Sequence, residues 1–216
     1  TTRKKYSYEK IITDFEDKKI DILVGTQMIT KGLDFANVSM VGILNADSML
    51  HFPDFRSHER AFQLMLQVAG RAGRKGKQGT VLVQTFNDEH EILKLLKKND
   101  FARFIKNEAS ERKLFNYPPY NRLIGITLKH KDKRRLDEAA YKLAVVMRKS
   151  FGKRVLGPEY PFISRIRNYY QKKLLLKIEK ESSISKAKKI ISKIIEKMHD
   201  YTIFKSIRVV IDVDPV

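Results

Sequence analysis

The sequence predicts two domains: an α/β domain built on a parallel sheet, and a smaller, more basic α+β domain after it. Short apolar runs at 20–25, 38–47 and 79–86 are separated by helical patterns, which is typical of buried parallel strands joined by helices. The stretch NYPPYN at 116–121 interrupts this alternation, because two consecutive prolines cannot continue a helix. We therefore place the two domains at 1–117 and 118–216.

Each element is predicted from its local periodicity. The helix that begins near Ser57 carries apolar residues at i, i+3, i+4 and i+7 spacing, which gives it one buried stripe. In the second domain the order of elements resembles a split βαβ fold with helices on one face of the sheet. The full set is a helix at 7–18; strands at 20–25, 38–47 and 79–86; helices from 57, at 89–98 and at 100–114; strands at 122–131, 155–166, 169–180 and 207–213; and helices at 134–150 and 184–199.

The charge of the chain favours a polyanionic partner. The 216 residues have a net charge of +19 at pH 7, and residues 121–216 alone hold 24 Lys and Arg against 10 Asp and Glu. An excess of this size in a short segment favours nucleic acid, with an anionic membrane or the ribosome as alternatives.

Other totals narrow the class of protein. Cysteine is absent, which excludes disulfides and thiolate metal sites. The five histidines are scattered without ligand spacing, so we predict no metal site in this chain. No run approaches the roughly 18 apolar residues of a membrane span, and a cytoplasmic protein is expected. Because the chain opens on Thr1, inside a helical pattern, we expect it to be a fragment of a longer protein.

Two glycine-containing motifs in the first domain suggest phosphate chemistry. The first, GTQMITKGLDF at 25–35, follows a predicted strand at the carboxyl edge of the sheet, where open α/β sheets bind ligands. The second, QVAGRAGR at 67–74, ends a helix and carries Arg71 and Arg74, whose guanidinium groups suit phosphate oxygens. Each motif alone is weak, since a basic glycine-rich turn is common on protein surfaces.

In this order on an α/β frame, the two motifs resemble motifs V and VI of superfamily 2 helicases. The stretches DILVGTQMITKGLDF, DFRSHERAFQLMLQVAGRAGR, KQGTVLVQTFNDEH, YPPY, VLGP and DVDP are similar to the PriA (primosomal protein N′) family of bacterial replication-restart helicases. The resemblance covers essentially the whole chain. It implies part of a RecA-like helicase lobe followed by a C-terminal domain with a small ribosomal-protein-like fold.

The resemblance also implies roles for particular residues. Arg71, Arg74 and Gln67 would act on ATP as catalytic residues, with arginine fingers worth about three to five decades in rate. The nucleotide would lie near Gly32, Asp34 and Gly70. The single DNA strand would contact Thr26, Gln27 and Lys31.

In the second domain, the stretch RNYYQKKLLLKIEK at 167–180 interleaves cations with aromatic residues. Tyr169 and Tyr170 could stack on bases while Lys172 neutralises phosphate, although an amphipathic strand with half-buried tyrosines explains the same pattern. By resemblance, Arg167 and Gln171 would bind the acidic C-terminal tail of single-stranded DNA-binding protein.

The whole protein would then be an ATP-dependent 3′→5′ DNA helicase that recognises stalled or branched forks and restarts replication by primosome assembly. Its partners would be forked and single-stranded DNA, the tail of single-stranded DNA-binding protein and primosome proteins, and it would be nucleoid-associated. No G-x-x-x-x-G-K-[ST] motif occurs here, so ATP and Mg²⁺ would be bound mainly by a lobe outside this chain, and the chain alone is expected to be inactive. The family's zinc is likewise expected elsewhere in the full-length protein. Two alternatives remain open: a lobe of an RNA helicase, and a non-enzymatic nucleic-acid-binding module.

Overall fold

The computed structural model describes residues 7–26, 38–73 and 79–215. Its packing divides the chain into two compact units, Thr1–Asn107 and Glu108–Val216. The division falls within a helix that ends at Leu114. The domain boundary predicted between 117 and 118 stays a prediction.

The first unit has mixed α/β content around a short parallel sheet. Strands β1 and β2 pair in parallel, with Met40 opposite Thr80 and Ile43 opposite Val83. Its core includes Phe62 and Phe104, whose rings stack 4.2 Å apart. The described elements of this unit are α1 (Ser7–Glu16), β1 (Met40–Ile43), α2 (Asp47–Leu50), α3 (Ser57–Ala69), β2 (Thr80–Val83), α4 (Glu91–Lys97) and the first part of α5 (Phe101–Leu114).

One predicted strand of the first unit is wrong. Residues 20–25 form no strand, and Ile22 and Val24 are 78% and 79% exposed. An apolar run becomes a parallel strand only when neighbouring strands and covering helices bury both of its faces. Those partners are not provided by the described residues around this run.

The second unit is an antiparallel sheet with two helices packed into one core. Its elements follow the order strand, helix, strand, strand, helix, strand, with one short extra strand, and the pairing order is β4-β6-β3-β7. Their bounds are β3 (Asn121–His130), α6 (Lys133–Phe151), β4 (Val155–Glu159), β5 (Arg165–Ile166), β6 (Tyr169–Glu179), α7 (Ile184–His199) and β7 (Arg208–Val213). The two helices were predicted within two residues of these bounds, whereas the strand predicted at 155–166 splits into β4 and β5.

Local chemistry explains where the two helices begin and end. The side chain of Asp132 accepts hydrogen bonds from the Arg134 and Arg135 amides at the start of α6, and Ser183 caps α7 in the same way. Helix α6 ends at Phe151, and its C-cap residue Gly152 has a φ of 61°, which favours glycine.

The core of the second unit defines two faces of its sheet. Alternate residues of β3 and β6 pack with α6 and α7, so the intervening residues project to the opposite face. We call this opposite side the far face. The core residues from these two strands are Ile124, Ile126, Leu128, Leu174, Leu176 and Ile178.

Candidate nucleotide corner and nucleic-acid interface

The helix α3 ends at a tight corner that carries Arg71. Helix α3 buries Ala61, Phe62 and Met65 against the core and leaves Gln67 on its exposed side. The corner begins at Gly70, whose amide donates to Leu66, and Arg71 follows half-buried. Gln67, Gly70 and Arg71 therefore lie close together at the carboxyl end of α3.

Backbone packing fixes the corner in place. The Gly73 amide donates to the carbonyl of Val38, 3.1 Å away, and the φ of Gly73 is 73°. A Cβ on Gly79 would lie 2.2 Å from the Gly73 nitrogen and 2.6 Å from the Ala72 Cβ, so only glycine fits there. The corner thus contacts the chain just before β1 and just before β2, which is the amino end of both parallel strands.

This attachment shows at which edge of the sheet the corner lies. Val38 lies two residues before the start of β1, so the Arg71 corner is at the amino end of that strand rather than at its carboxyl end. The carboxyl end is occupied by a structural contact: Asp47 accepts hydrogen bonds from the Thr85 hydroxyl and the Phe86 amide. The hydrogen bond from the Phe86 amide has the largest effect and lowers the pKa of Asp47. The bond from Thr85 lowers it further, so the pKa stays below its ordinary value despite some desolvation.

Several residues of the predicted nucleotide and DNA sites lie outside the described residues. Thr26 is described and exposed. The predicted site residues that lie outside the described residues are Gln27, Lys31, Gly32, Asp34 and Arg74.

Three histidines that are scattered in the sequence meet in the first unit. The ring of His90 lies edge-on to both His51 and His58, with centroids 6.0 and 5.6 Å away. Burial lowers the pKa of His90, and the positive charges that His58 and His51 can carry lower it further. The Nδ1 atom of His90 accepts a hydrogen bond from the Ile92 amide and so caps α4.

In the second unit, strand β6 separates the predicted DNA-binding residues onto two faces. Tyr170 packs against the core of the helices, and Lys172 projects to the same side by alternation. Tyr169 and Gln171 project to the far face. The sequence pattern alone could not show this separation, because strand residues 169–172 are adjacent in sequence.

Tyr169 lies among cations on the far face. The Arg208 guanidinium carbon is 4.7 Å from the Tyr169 ring centroid, and the Lys131 ammonium is 5.8 Å from it. Lys129 is paired with both Gln171 and Arg208, which places three strands side by side here. An aromatic ring surrounded by cations suits a base and its phosphates. We call Tyr169, Lys129, Lys131 and Arg208 the tyrosine platform.

Lys172 is held by partners within the unit. Its ammonium lies 2.9 Å from the Asp137 carboxylate and 4.6 Å from the Tyr160 ring centroid, and the side chain is only 15% exposed. Partial burial alone would raise the pKa of Asp137, but the Tyr160 hydroxyl and Lys172 lower it overall. Burial raises the pKa of the Tyr160 phenol, as does its hydrogen bond to Asp137. Lys172 thus has a structural partner in this unit.

Arg167 and Gln171, the predicted tail-binding pair, differ in exposure. Arg167 is an exposed turn residue between β5 and β6. Within the part of the chain that the structure describes, no hydrogen bond or ion pair occupies its guanidinium group. Gln171 is 6% exposed, so its amide is largely covered.

Three members of the platform, Lys129, Lys131 and Arg208, were not predicted from the sequence. Arg208 lies in β7, far along the chain from Tyr169, and the pairing of β3 with both β6 and β7 brings them together. Lys131 follows the end of β3. Only a register for all three strands would have indicated these residues.

The fold and these sites define a class: a mixed α/β unit followed by a basic antiparallel domain. A family model described as "Helicase conserved C-terminal domain" matches residues 2–76, and one described as "Primosomal protein N C-terminal domain" matches 113–216. Among the described residues, no helix is long and apolar enough to span a membrane.

Three relatives of this chain share one name. The chain is 39% identical over 217 residues to "Replication restart protein PriA" of Bacillus subtilis (strain 168), covering 100% of this chain and 27% of that protein. It is 40% identical to the protein of that name from Synechocystis, over 82% of this chain and 22% of the relative, and 38% identical to that of Treponema pallidum, over 78% and 26%. The chain spans about a quarter of the length of these relatives.

The chain therefore belongs to the PriA family. It corresponds to a C-terminal portion of its relatives that contains the helicase C-terminal domain and the PriA C-terminal domain.

Proposed function

We propose that this chain is the part of an ATP-dependent 3′→5′ replication-restart helicase that completes the nucleotide site and contacts branched DNA. Its first unit would be part of a RecA-like lobe, and its second a split-βαβ domain of the ribosomal-protein type. The single observation that carries the proposal is that one chain of the PriA family contains both the Arg71 corner, in its first unit, and a cation-lined tyrosine platform, in its second.

The Arg71 corner fits a phosphate. Arg71 and Gln67 lie at the end of α3, and the Gly73–Val38 hydrogen bond and the close approach of Gly79 support the backbone there. In the proposed site Arg71 and Arg74 place guanidinium groups on the developing charge of the transferred phosphoryl group, while Gln67 orients it. Gly32, Asp34 and Gly70 would border the nucleotide. The Mg²⁺ and most of the ATP would be held by residues outside this chain, and any zinc would also lie elsewhere in the protein.

The DNA-binding role is assigned mainly to the far face of the second unit. Tyr169 would stack on a base while Lys131 and Arg208 neutralise phosphates. Thr26, Gln27 and Lys31 would contact the single strand from the first unit. Tyr170 and Lys172 would support the platform from the opposite face, because Tyr170 packs on the core and Lys172 is paired with Asp137.

The exposed guanidinium of Arg167 is suited to a carboxylate, as in the acidic tail of single-stranded DNA-binding protein. Gln171 would contribute from its largely buried position. Primosome proteins would be further partners of the whole, nucleoid-associated protein.

A chimaera tests the nucleotide role. This chain would replace the matching region of the Bacillus subtilis relative, and DNA-stimulated ATPase would be measured. Arg71→Ala and Arg74→Ala are each expected to lower kcat by at least about a hundredfold. Arg103→Ala, an exposed arginine on α5, is the matched control and should leave kcat within twofold.

Unchanged ATPase in both arginine variants would overturn the finger assignment. If binding then favoured RNA over DNA, the lobe of an RNA helicase would be the better proposal. If ATPase were unaffected while DNA binding fell in both variants, the corner would be a phosphate-backbone contact in a non-enzymatic module.

A further inference from the structure

The loop between β4 and β6 exposes an unusual concentration of apolar side chains. Phe162 is 85% exposed, Ile163 is 60% exposed and Ile166 is 49% exposed. Single exposed apolar residues are ordinary, but three within five positions form a patch that points to a binding role. We call residues 160–168 the apolar hairpin loop.

The loop is held at both ends. At its start, the Tyr160 hydroxyl donates to the Asp137 carboxylate on α6, 2.5 Å away, and the ammonium groups of Lys172 and Lys133 lie over its ring. These contacts fix the segment that leads into Phe162.

At the other end, a short hairpin continues the sheet. Ile166 pairs with Tyr169, and Arg167 and Asn168 form the connecting two-residue turn with φ values of 47° and 64°. Positive φ at both central residues is the geometry of a type I′ hairpin. The backbone amide of Gln171 donates to the Ser164 carbonyl at 2.8 Å, which extends the pairing to the base of the hairpin. The apolar side chains are therefore displayed from a preformed support.

Register places this support beside the tyrosine platform. Ile166 is directly opposite Tyr169, so the two side chains lie on the same face of the hairpin. Arg165 lies over Tyr170 at 5.0 Å and donates to the Asn168 side chain at 3.1 Å, on the other face. An apolar element thus continues from a base-stacking surface and is flanked by guanidinium groups.

We propose that the apolar hairpin loop is a wedge that enters and opens the first base pair where duplex DNA divides into single strands. Protruding apolar side chains can enter or cover a base step, and neighbouring cations hold the phosphates on either side. A peptide ligand fits less well, because a peptide side chain needs a concave pocket, whereas Phe162 protrudes with 85% of its surface exposed. The inference rests on the proposed DNA-binding function and adds the position on the DNA that the loop contacts.

The test uses the whole 216-residue chain and a synthetic fork with 2-aminopurine in the first base pair of the duplex. Stacking quenches this base, so a wedge that opens the pair raises its fluorescence. The Phe162→Ala/Ile163→Ala double variant is expected to lose most of that rise and at least about fivefold in fork affinity. Its affinity for plain single-stranded DNA should stay within about twofold, because the tyrosine platform is intact.

Two controls keep the result specific. Tyr141→Ala removes a 64% exposed aromatic residue from α6 and should change neither signal. Phe162→Trp keeps a large apolar surface and should retain the fluorescence rise, provided that its thermal unfolding matches that of the parent chain.

Each of the following outcomes would overturn the wedge. A full fluorescence rise in the double variant does so, as does an equal loss of affinity for fork and single strand. Loss of binding to an acidic peptide with an apolar end, with the fork signal intact, would instead make the loop a peptide-docking site. Absence of any DNA binding by the parent chain would overturn both the wedge and the proposed function, whereas DNA binding without a fluorescence rise would overturn the wedge alone.

Discussion

The Arg208 guanidinium lies over the ring of Tyr169, 4.7 Å from its centroid, although the two residues belong to strands at different positions in the sheet. Strand β3 brings them together, because its Lys129 is opposite both Gln171 of β6 and Arg208 of β7. A π face and a cation from separate strands thus form one surface. Because aromatic stacking and phosphate neutralisation can act together on a single strand, the proposed DNA contact is centred on this pair.

Replacement of Tyr169 by alanine should weaken binding of single-stranded DNA. Loss of base stacking costs about 1–3 kcal/mol, which is roughly 5- to 150-fold in Kd. Fluorescence anisotropy of the Tyr169→Ala chain would measure the loss. Tyr141→Ala, on α6, should bind like the parent; equal weakening in both variants would mean that the platform is not the contact.

Replacement of Gly79 by alanine should destabilise the first unit. The new Cβ would meet backbone atoms of residues 72 and 73 that cannot move without disturbing the Arg71 corner. Overpacking of this kind costs about 1–3 kcal/mol. Urea unfolding would measure the free energy of unfolding. Gly42→Ala in β1 is the control, since a Cβ there meets nothing within 4 Å, and destabilisation as large as that of Gly79→Ala would contradict the steric explanation.

The Asp137 carboxylate should make the stability of the second unit depend on pH in acid. Its pKa is lowered in the folded state, so its contribution is complete above the unfolded pKa of about 3.9 and is lost as the pH falls through the folded pKa. Asp137→Asn should be less stable than the parent at pH 6, by up to about 1 kcal/mol because the pair is partly exposed, and the difference should shrink towards pH 2.5.

Thermal unfolding at pH 6, 4 and 2.5 would check this. Glu138→Gln, which removes an exposed carboxylate one position along α6, is the control. A stability difference for Asp137→Asn that is constant from pH 6 to 2.5 would contradict the assignment.

His90 should produce a second pH dependence, in the first unit. Burial and the nearby His51 and His58 lower its pKa, while Asp47 and Glu91 act in the opposite direction. A lowered histidine pKa means that stability is full above the unfolded pKa of about 6.5 and falls as the pH drops through the folded pKa. The free energy of unfolding should therefore decline as the pH falls below about 6.5.

The variant His90→Asn isolates this effect. Asparagine is a good N-cap, so it can replace the contact of the His90 ring with the Ile92 amide without titrating. The decline should diminish in His90→Asn, whereas His90→Ala should also lose about 1 kcal/mol at neutral pH through the missing cap. An undiminished decline in His90→Asn would show that another group titrates.

Sequence periodicity predicted the well-packed elements closely and failed where tertiary context decides. Helix α7 begins at Ile184 and ends at His199, as its apolar stripe predicts. The run at 20–25 has the same apolar character as a buried strand, yet Ile22 and Val24 remain exposed. An apolar run shows that a segment could be buried, but it does not show whether the fold provides neighbouring strands and helices to bury it.

The candidate site shows the same limit. Composition indicated that cations and tyrosines cluster near 167–180, but strand alternation separates Tyr169 from Tyr170, and Asp137 on another element pairs with Lys172. The meeting of His51, His58 and His90 likewise depends on the packing of three segments. Contacts between distant segments are invisible to a pattern that extends over a few residues.

Nucleic-acid binding tests most directly the proposal that this chain is a DNA-contacting part of a restart helicase. Fluorescence anisotropy of the whole chain would compare forked DNA, single-stranded DNA, duplex DNA and a matched RNA at two salt concentrations. We expect tighter binding to forked or single-stranded DNA than to RNA, with an affinity that falls steeply as salt rises, because phosphates are neutralised by Lys and Arg. Equal or tighter binding to RNA, or an affinity independent of salt, would contradict the proposal.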